Sequence, residues 1–256
     1  ALPIASIMLA SEVYADDGTL RGKYYKDKSN RSNVEYHDIS KNAVNALLAT
    51  EDKRFYEHSG IDGMGVLRAV VKLGHDGGGS TITQQLAKYM LGQGSKNVLR
   101  RGIEKLKEWI TSVRLERNFT KEEILALYLN AVPFGDNVYG IRNASRTFYQ
   151  KEPDRLSVDE AAMLIGMLSG NTLYNPRRNP KAAIERRNTV INRMVESNFI
   201  TDAEGTKYKA RPIDMSNYKK LDENNGLAPY FRDVIRDDLK RWCKDHKNPE
   251  TGEPFD

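Results

Sequence analysis

The sequence predicts a mainly α-helical protein, and two kinds of pattern support this fold class. Four apolar segments begin with a capping box, in which a hydroxyl residue precedes Glu or Gln by three positions. These pairs are Thr81 with Gln84, Thr120 with Glu123, Ser157 with Glu160, and Thr201 with Glu204. Apolar residues also recur at helical spacing, as Val44, Leu47 and Leu48 do. Pro180 fits the first turn of a further helix.

The elements follow in order along the chain. Residues 11–37 alternate around a DDGT turn, which predicts a hairpin or extended arm. Helices are expected over 38–51 and 62–73, and HDGGGS breaks the second. Ile103, Leu106, Ile110 and Val113 form one apolar stripe, with Glu108 on the polar side of the same helix. The polar LDENNG segment at 221–226 predicts a boundary before a final helix over 229–244.

Composition narrows the function classes. The net charge of +5 over 256 residues favours an anionic partner such as nucleic acid, anionic lipid or a phosphorylated substrate. The charge is interspersed and no zinc-finger or RNA-binding signature is present, so nucleic acid is not favoured. A single cysteine, Cys243, excludes an intrachain disulfide. The apolar run at 1–10 is about half the length that a bilayer-spanning helix needs.

Two segments carry candidate chemistry. EDKRFYEHSG, at 51–60, places adjacent carboxylates where a helix ends, either as a solvated helix end or as a base. GGGSTITQQLAKYM, at 77–90, combines glycines with a capped helix start, which suits a phosphate. It lacks the GK[ST] of a P-loop, and a flexible loop before an ordinary cap explains it equally well.

Two further segments are more ambiguous. In NVLRRGIEKLKEWITSVRLERNF, Arg100 and Lys107 are seven positions apart and share a helix face, although a solvated charged face is the commoner explanation. YLNAVPFGDNVYGIRNAS mixes aromatic and amide side chains, which line sugar grooves but more often pack a core and cap turns.

Taken in order, EDKRFYEHSG, GGSTITQQLAK, KLKEWITSVRLE and YLNAVPFGDNVYGI resemble the motifs of a known family. That family is the peptidoglycan glycosyltransferase domain (glycosyltransferase family 51) of class A penicillin-binding proteins of the 1A type, and their monofunctional relatives. LSVDEAAMLIGML and YNPRRNPKAAIERRNTVINRM are similar to its last motif, so the resemblance covers about residues 20–194. It implies a lysozyme-like α-helical fold with a large lobe and a small membrane-facing jaw lobe.

The resemblance also implies a reaction and its place. Lipid II is polymerised into β-1,4 glycan strands with inversion and release of undecaprenyl pyrophosphate, at the extracytoplasmic face of the bacterial cytoplasmic membrane. Glu51 matches the general base, with Asp52 supporting it and His58 structural. Glu108 matches a second glutamate beside the donor diphosphate, where it orients basic side chains or holds a divalent metal (Mg²⁺ or Mn²⁺). No organic cofactor is implied.

The remaining site residues come from the same match. The donor diphosphate would be bound by Lys88, Arg100 and Lys107. Sugar and phosphate would be bound by Ser80, Thr81, Gln84 and Gln85. The chain departs from the family pattern at Tyr89, Glu104, Lys105, Gln150 and Asn171, and the match does not separate Arg100 from Arg101.

Three divisions of the chain are expected. Residues 1–37 would be an arm following an absent membrane anchor, 38–220 the glycosyltransferase domain, and 221–256 a linker helix. GLAPYFRDVIRDDL resembles the stretch before a transpeptidase domain, so we expect a fragment of a bifunctional enzyme. KYMLGQGSKNVL, at 88–99, is apolar and basic, which predicts a position near the bilayer surface. Further expected partners are moenomycin-type inhibitors and other cell-wall synthesis proteins.

Two alternatives remain at this stage. A lytic enzyme on the same scaffold would cut glycan, but it needs an acid to protonate a leaving sugar oxygen and no diphosphate clamp. A non-catalytic module would bind lipid or a partner without turnover. The basic residues around GGGSTITQQLAK argue against the first, and the presence of both Glu51 and Glu108 argues against the second.

Overall fold

The computed structural model describes residues 11–14, 20–24, 33–65, 79–92 and 98–220, together with positions 238, 241, 242 and 246. Within these residues the protein is mainly α-helical with one two-stranded sheet, which confirms the predicted class. Most of the helices predicted over 62–73 and 229–244 lie outside the described residues, as do Cys243 and the apolar run at 1–10. The two-lobed division stays a prediction.

The strands β1, Ser11–Tyr14, and β2, Leu20–Tyr24, pair antiparallel, which confirms the predicted hairpin. One 3₁₀ turn, Tyr36–Asp38, lies shortly before the helix that begins at Lys41. Another, Pro153–Arg155, lies shortly before the helix that begins at Val158. The helices are α1 Lys41–Glu51, α2 Ile82–Leu91, α3 Val98–Asn118, α4 Lys121–Ala131, α5 Ile141–Tyr149, α6 Val158–Met167, α7 Pro180–Glu196 and α8 Asp202–Lys209.

All four predicted capping boxes form, at the starts of α2, α4, α6 and α8. Each satisfies backbone N–H groups that a helix start would otherwise leave without partners. Pro180 begins α7, as its fixed φ and missing N–H favour. Helix α1 begins at Lys41 instead of Asp38, because Ser40 caps it by accepting from the Ala43 N–H at 3.2 Å.

The centre of the core is α6, which is apolar on nearly all sides and packs against both α1 and α7. A second group is formed by α2, which packs against α3 and α4. The end of α1 and the start of α2 meet where these two groups adjoin, because Asp52 bonds the first N–H of α2. That junction positions the candidate site.

Helix α3 buries its polar side and exposes its apolar stripe, which is the opposite of the usual arrangement in an amphipathic helix. The apolar stripe exists, but Ile103, Leu106 and Ile110 are 56%, 58% and 56% exposed. The inward face is instead lined by Glu108 and Ser112, with Leu115 on the next turn. Glu108 does lie on the polar side of α3, as predicted, but this side faces the protein interior, and the residue is only 7% exposed. The inward carboxylate and the outward apolar stripe both need a functional explanation.

Candidate active site

Asp52 ties the end of α1 to the start of α2. Helix α1 ends at Glu51 because Asp52 leaves the helical conformation, with φ at −158°. The buried Asp52 carboxylate accepts from the Ile82 N–H at 3.1 Å and from His58 Nε2 at 2.9 Å. An anion at a helix N-terminus is favourable, since the backbone N–H groups and the helix dipole both stabilise it. Glu51 is therefore set beside the first turn of α2.

The turn after Asp52 is held from several directions. His58 Nδ1 accepts from the Gly60 N–H at 3.2 Å, which leaves Nε2 as the ring donor to Asp52. Lys121 donates to the His58 carbonyl at 2.6 Å, pairs with Glu116 at 2.8 Å, and lies 4.3 Å from the centre of the Phe55 ring. These contacts support a structural place for His58.

Gly60 is needed where this turn meets α3. Its φ is +94°, and a Cβ there would lie 2.9 Å from the carbonyl carbon of Ser112. Thr81 Oγ1 donates to the Gly60 carbonyl at 2.7 Å and accepts from the Gln84 N–H at 3.1 Å. The turn, α2 and α3 are thereby locked together.

The Glu51 carboxylate is oriented by a chain of two hydrogen bonds. Gln85 Nε2 donates to Glu51 Oε2 at 3.0 Å, and the Tyr128 hydroxyl donates to Gln85 Oε1 at 2.9 Å. Tyr128 is 1% exposed, and burial first, then the negative charge of Glu51, raises the pKa of its hydroxyl well above 10. The hydroxyl therefore stays protonated and keeps the Gln85 amide turned towards Glu51.

Helix α7 places two arginines near the C-terminal end of α1, where Glu51 lies. Arg193 Nη1 donates to the Thr50 carbonyl at 2.9 Å. Arg186 bonds Ser169, and its guanidinium lies 5.6 Å from the centre of the Tyr174 ring. Burial and Arg193 lower the pKa of Arg186, while the negative charge of Glu51 acts in the opposite direction. The sequence reasoning missed both arginines; the only signal was the basic run in the last motif.

A second charged group lies on the inward face of α3. Lys105 Nζ donates to Glu108 Oε2 at 2.8 Å and to Ser80 Oγ at 2.8 Å. Lys105 is one of the departures from the family pattern, and nothing in the sequence predicts its contact with Glu108. The three predicted diphosphate ligands, Lys88, Arg100 and Lys107, are all exposed. The cation that joins Ser80 to Glu108 is thus Lys105.

The four predicted polar ligands divide into two pairs. Ser80 and Gln85 touch the charged side chains of the site. Thr81 and Gln84 are buried, and the Thr81 N–H donates to Gln84 Oε1 at 3.3 Å within the capping box. The Ile82 and Gln84 N–H groups are already bonded to Asp52 and Thr81, so they are not open to a phosphate.

The residues around Glu108 do not fit a divalent metal. The Lys105 ammonium already occupies the position beside Glu108 Oε2 that a cation would take. Across the described ranges, no group of three His, Cys, Asp or Glu side chains comes together to hold an ion. Mg²⁺ and Mn²⁺ prefer several oxygen ligands, and Ser80 with one lysine-paired carboxylate is a poor set.

A helical fold that holds two glutamate side chains by hydrogen bonds has the groups that a carboxylate-based enzyme would use. The profile of the family described as Transglycosylase matches residues 17–195. The chain belongs to this transglycosylase family.

Its relatives include penicillin-binding proteins. Penicillin-binding protein 2a of Streptococcus pneumoniae is 41% identical over 214 residues, covering 82% of this chain and 28% of that protein. Penicillin-binding protein 1A of Escherichia coli is 34% identical over 237 residues, covering 91% and 27%. Among solved structures, penicillin-binding protein 1A from Haemophilus influenzae matches with a TM-score of 0.48 and 22% identity, covering 93% and 25%. The chain spans less than a third of the length of the curated relatives named here.

Proposed function

We propose that this chain is a peptidoglycan glycosyltransferase domain that polymerises lipid II into β-1,4 glycan, with inversion and release of undecaprenyl pyrophosphate. Membership of the transglycosylase family and the penicillin-binding relatives support this assignment. The two held glutamates give the reaction its chemical groups. Glu51 acts as the general base that takes the proton from the attacking sugar 4-hydroxyl.

The observation that carries the proposal is the hydrogen-bond chain from Tyr128 through Gln85 to Glu51. A sugar hydroxyl is a poor nucleophile, so its attack needs a carboxylate held in reach of the proton. Gln85 holds Glu51 Oε2, and no hydrogen bond from the described part of the chain reaches Oε1. Oε1 is the atom that accepts the proton.

The basic residues of the site would neutralise the charge of the diphosphate leaving group. Negative charge develops on the departing diphosphate, and fixed cations beside it lower the barrier. Lys105, held between Ser80 and Glu108, is positioned to provide one such charge, and Lys88, Arg100 and Lys107 add exposed ones. Glu108 orients Lys105. A diphosphate leaves without protonation, which separates this site from glycosidases that need a carboxylic acid.

The exposed stripe of α3 supports a site at a bilayer surface. The proposed reaction would place that site on the extracytoplasmic face of the bacterial cytoplasmic membrane. Ile103, Leu106 and Ile110 form an apolar face, and Tyr89 and Leu91 at the end of α2 are exposed as well. In the described ranges no helix is long and apolar enough to cross a membrane. A surface of this kind lies against lipid, where the undecaprenyl tail of the donor resides. Moenomycin-type inhibitors would occupy the donor cleft, and other cell-wall synthesis proteins are proposed partners.

The test is polymerisation of lipid II in detergent, comparing the wild type with Glu51→Gln. We expect polymer from the wild type and a rate roughly 10²–10⁴-fold lower from Glu51→Gln, the usual contribution of a general base. Glu57→Gln, an exposed glutamate in the same turn, is the matched control. Unchanged polymerisation by a folded Glu51→Gln would remove Glu51 from the proposed role. Release of fragments from preformed glycan would favour the lytic alternative, and binding without turnover the module.

A further inference from the structure

A second cleft, of about 530 Å³, lies apart from the side chains that hold Glu51 and Glu108. Its walls come from the segment between α4 and α5, the turn before α7, and the chain after α8. Its principal polar and aromatic lining residues are Asp136, Tyr139, Asn171, Arg177, Arg178 and Tyr218. None of these was assigned a role in the reaction.

A buried carboxylate organises this cleft. Asp136 is only 6% exposed at its side chain and accepts from Arg178 Nη2 at 2.8 Å and from Asn175 Nδ2 at 3.0 Å. Arg177 Nη1 lies 3.7 Å from the other side of the same carboxylate. Burial acts to raise the pKa of Asp136, but the bonds from Asn175 and Arg178 and both guanidinium charges outweigh it and hold the pKa below its usual value. Asp136 is therefore ionised at neutral pH.

Asp136 holds both arginines in place, and each guanidinium keeps N–H donors that can bind a ligand. Arg177 also donates to the Tyr218 hydroxyl at 2.9 Å and lies 4.2 Å from the centre of that ring. A guanidinium has five N–H donors, and the side chains of Arg177 and Arg178 remain 47% and 58% exposed. Two guanidinium charges face one carboxylate, so the cleft keeps an excess of positive charge.

We propose that this cleft binds a carboxylate-bearing peptide, namely the peptide stem of the glycan substrate. The identity of this peptide rests on the proposed function. Arginine forks match planar carboxylates, and guanidinium groups fixed by Asp136 lose little freedom on binding. The rings of Tyr139 and Tyr218 and the amide of Asn171 provide the mixed apolar and hydrogen-bonding walls that a short peptide needs. The volume lies within the range of pockets for small ligands.

The turn before α7 connects this cleft to the candidate active site. Asn171 and Thr172 line the cleft, while Tyr174 on the same turn faces Arg186, whose charge interacts with Glu51. This turn therefore contacts both the cleft that contains the arginine pair and an arginine that interacts with Glu51. This placement favours the substrate's own peptide over an unrelated acidic partner.

Direct titration tests the site. The probes are N-acetyl-Ala-Glu-Ala with a free C-terminus and its neutral counterpart, N-acetyl-Ala-Gln-Ala-amide. Each peptide is titrated into the protein at low salt, and its affinity is measured by calorimetry. We expect the acidic peptide to bind at least about 10-fold more tightly, because charge-assisted bonds to arginine are strong. Arg178→Gln should weaken binding about 10-fold, and Arg178→Lys, which keeps charge but loses the fork, by less. Arg155→Gln, an exposed arginine elsewhere, is the control and should change nothing.

Equal binding of both peptides, or unchanged binding by a folded Arg178→Gln, would overturn the site; thermal unfolding of each variant confirms its fold.

Glu51→Gln separates this proposal from the previous one, since it should stop polymerisation and leave peptide binding intact. Binding without wild-type polymerisation would sink the glycosyltransferase proposal and the substrate assignment, but not the carboxylate site. If polymerisation occurs, Arg178→Gln should raise KM for lipid II with acidic stems more than for amidated stems. An equal KM for both would overturn the substrate assignment.

Discussion

Gln85 holds the carboxylate of Glu51 through an Nε2–Oε2 hydrogen bond of 3.0 Å, across the junction of α1 and α2. Its neighbour in sequence, Gln84, points into the protein and closes the capping box of α2 with Thr81. Two adjacent residues of one type therefore have different tasks, and substitution can separate them.

The first prediction contrasts these glutamines. Gln85→Ala should lower kcat about 10- to 100-fold, because Glu51 loses the donor that orients it. Gln84→Ala should instead cost about 1 kcal/mol of stability through the broken capping box and keep most of the activity. Lipid II polymerisation and urea unfolding measure the two effects. Equal loss of kcat in both variants would contradict the division of roles.

The second prediction contrasts two lysines of α3. Lys105→Ala should reduce kcat by about 10²-fold, as removal of one preorganised donor does elsewhere. Lys107→Ala should have a smaller effect, since Lys107 is exposed while Lys105 contacts both Ser80 and Glu108. Steady-state rates at saturating lipid II decide between them. A larger loss in Lys107→Ala would favour the role that the family resemblance gives to Lys107.

The third prediction concerns Gly60 and Gly92, which both have positive φ, +94° and +60°. Gly92→Ala should cost roughly 1 kcal/mol, the ordinary penalty for a left-handed alanine, since no atom of the described residues lies within 4 Å of its added Cβ. Gly60→Ala should cost more than about 2 kcal/mol, because its Cβ also meets the Ser112 backbone at 2.9 Å. Chemical unfolding provides both values. Similar costs would show that the turn after Asp52 can shift away from α3.

The fourth prediction is a pH dependence at Asp136. Its folded-state pKa is depressed, so its contribution to stability is present above its unfolded pKa of about 3.9 and is lost as pH falls through the folded value. Asp136→Asn should be less stable than the wild type at pH 7, and the difference should shrink below about pH 4. Urea unfolding at pH 7 and pH 3 tests this, with exposed Asp154→Asn as the control. A stability difference that does not change with pH would contradict the ion pairs of Asp136 with Arg177 and Arg178.

The fifth prediction concerns the outward stripe of α3. Ile103→Asp combined with Ile110→Asp should weaken binding to anionic vesicles at least about 10-fold, because two apolar contacts are lost and two repulsive charges are added. Leu173→Asp changes an apolar residue of similar exposure on another segment and should have little effect. Co-sedimentation with vesicles measures the difference. Equal retention of the double variant would move the lipid-facing surface elsewhere.

Much of the local structure was predictable from the sequence. The capping boxes, the start of α7 at Pro180 and the end of α1 at Glu51 all form as predicted, because each depends on hydrogen bonds or dihedral limits within a few residues. The adjacent carboxylates at 51–52 were likewise visible as a possible base and its neighbour. These features depend on short-range chemistry, which the order of residues specifies directly.

The tertiary structure decided which of these groups work together. Composition cannot show that α3 turns Glu108 inward and its apolar stripe outward, since the choice of face depends on what the helix packs against. The same holds for Tyr128, which is 43 positions from Gln85 in sequence yet bonds it, and for Lys105 reaching Ser80. The sequence by itself determined the helices and the residue types available for catalysis. The long-range packing of those helices determined which carboxylate Gln85 bonds, which lysine contacts Glu108 and which glutamine closes a capping box.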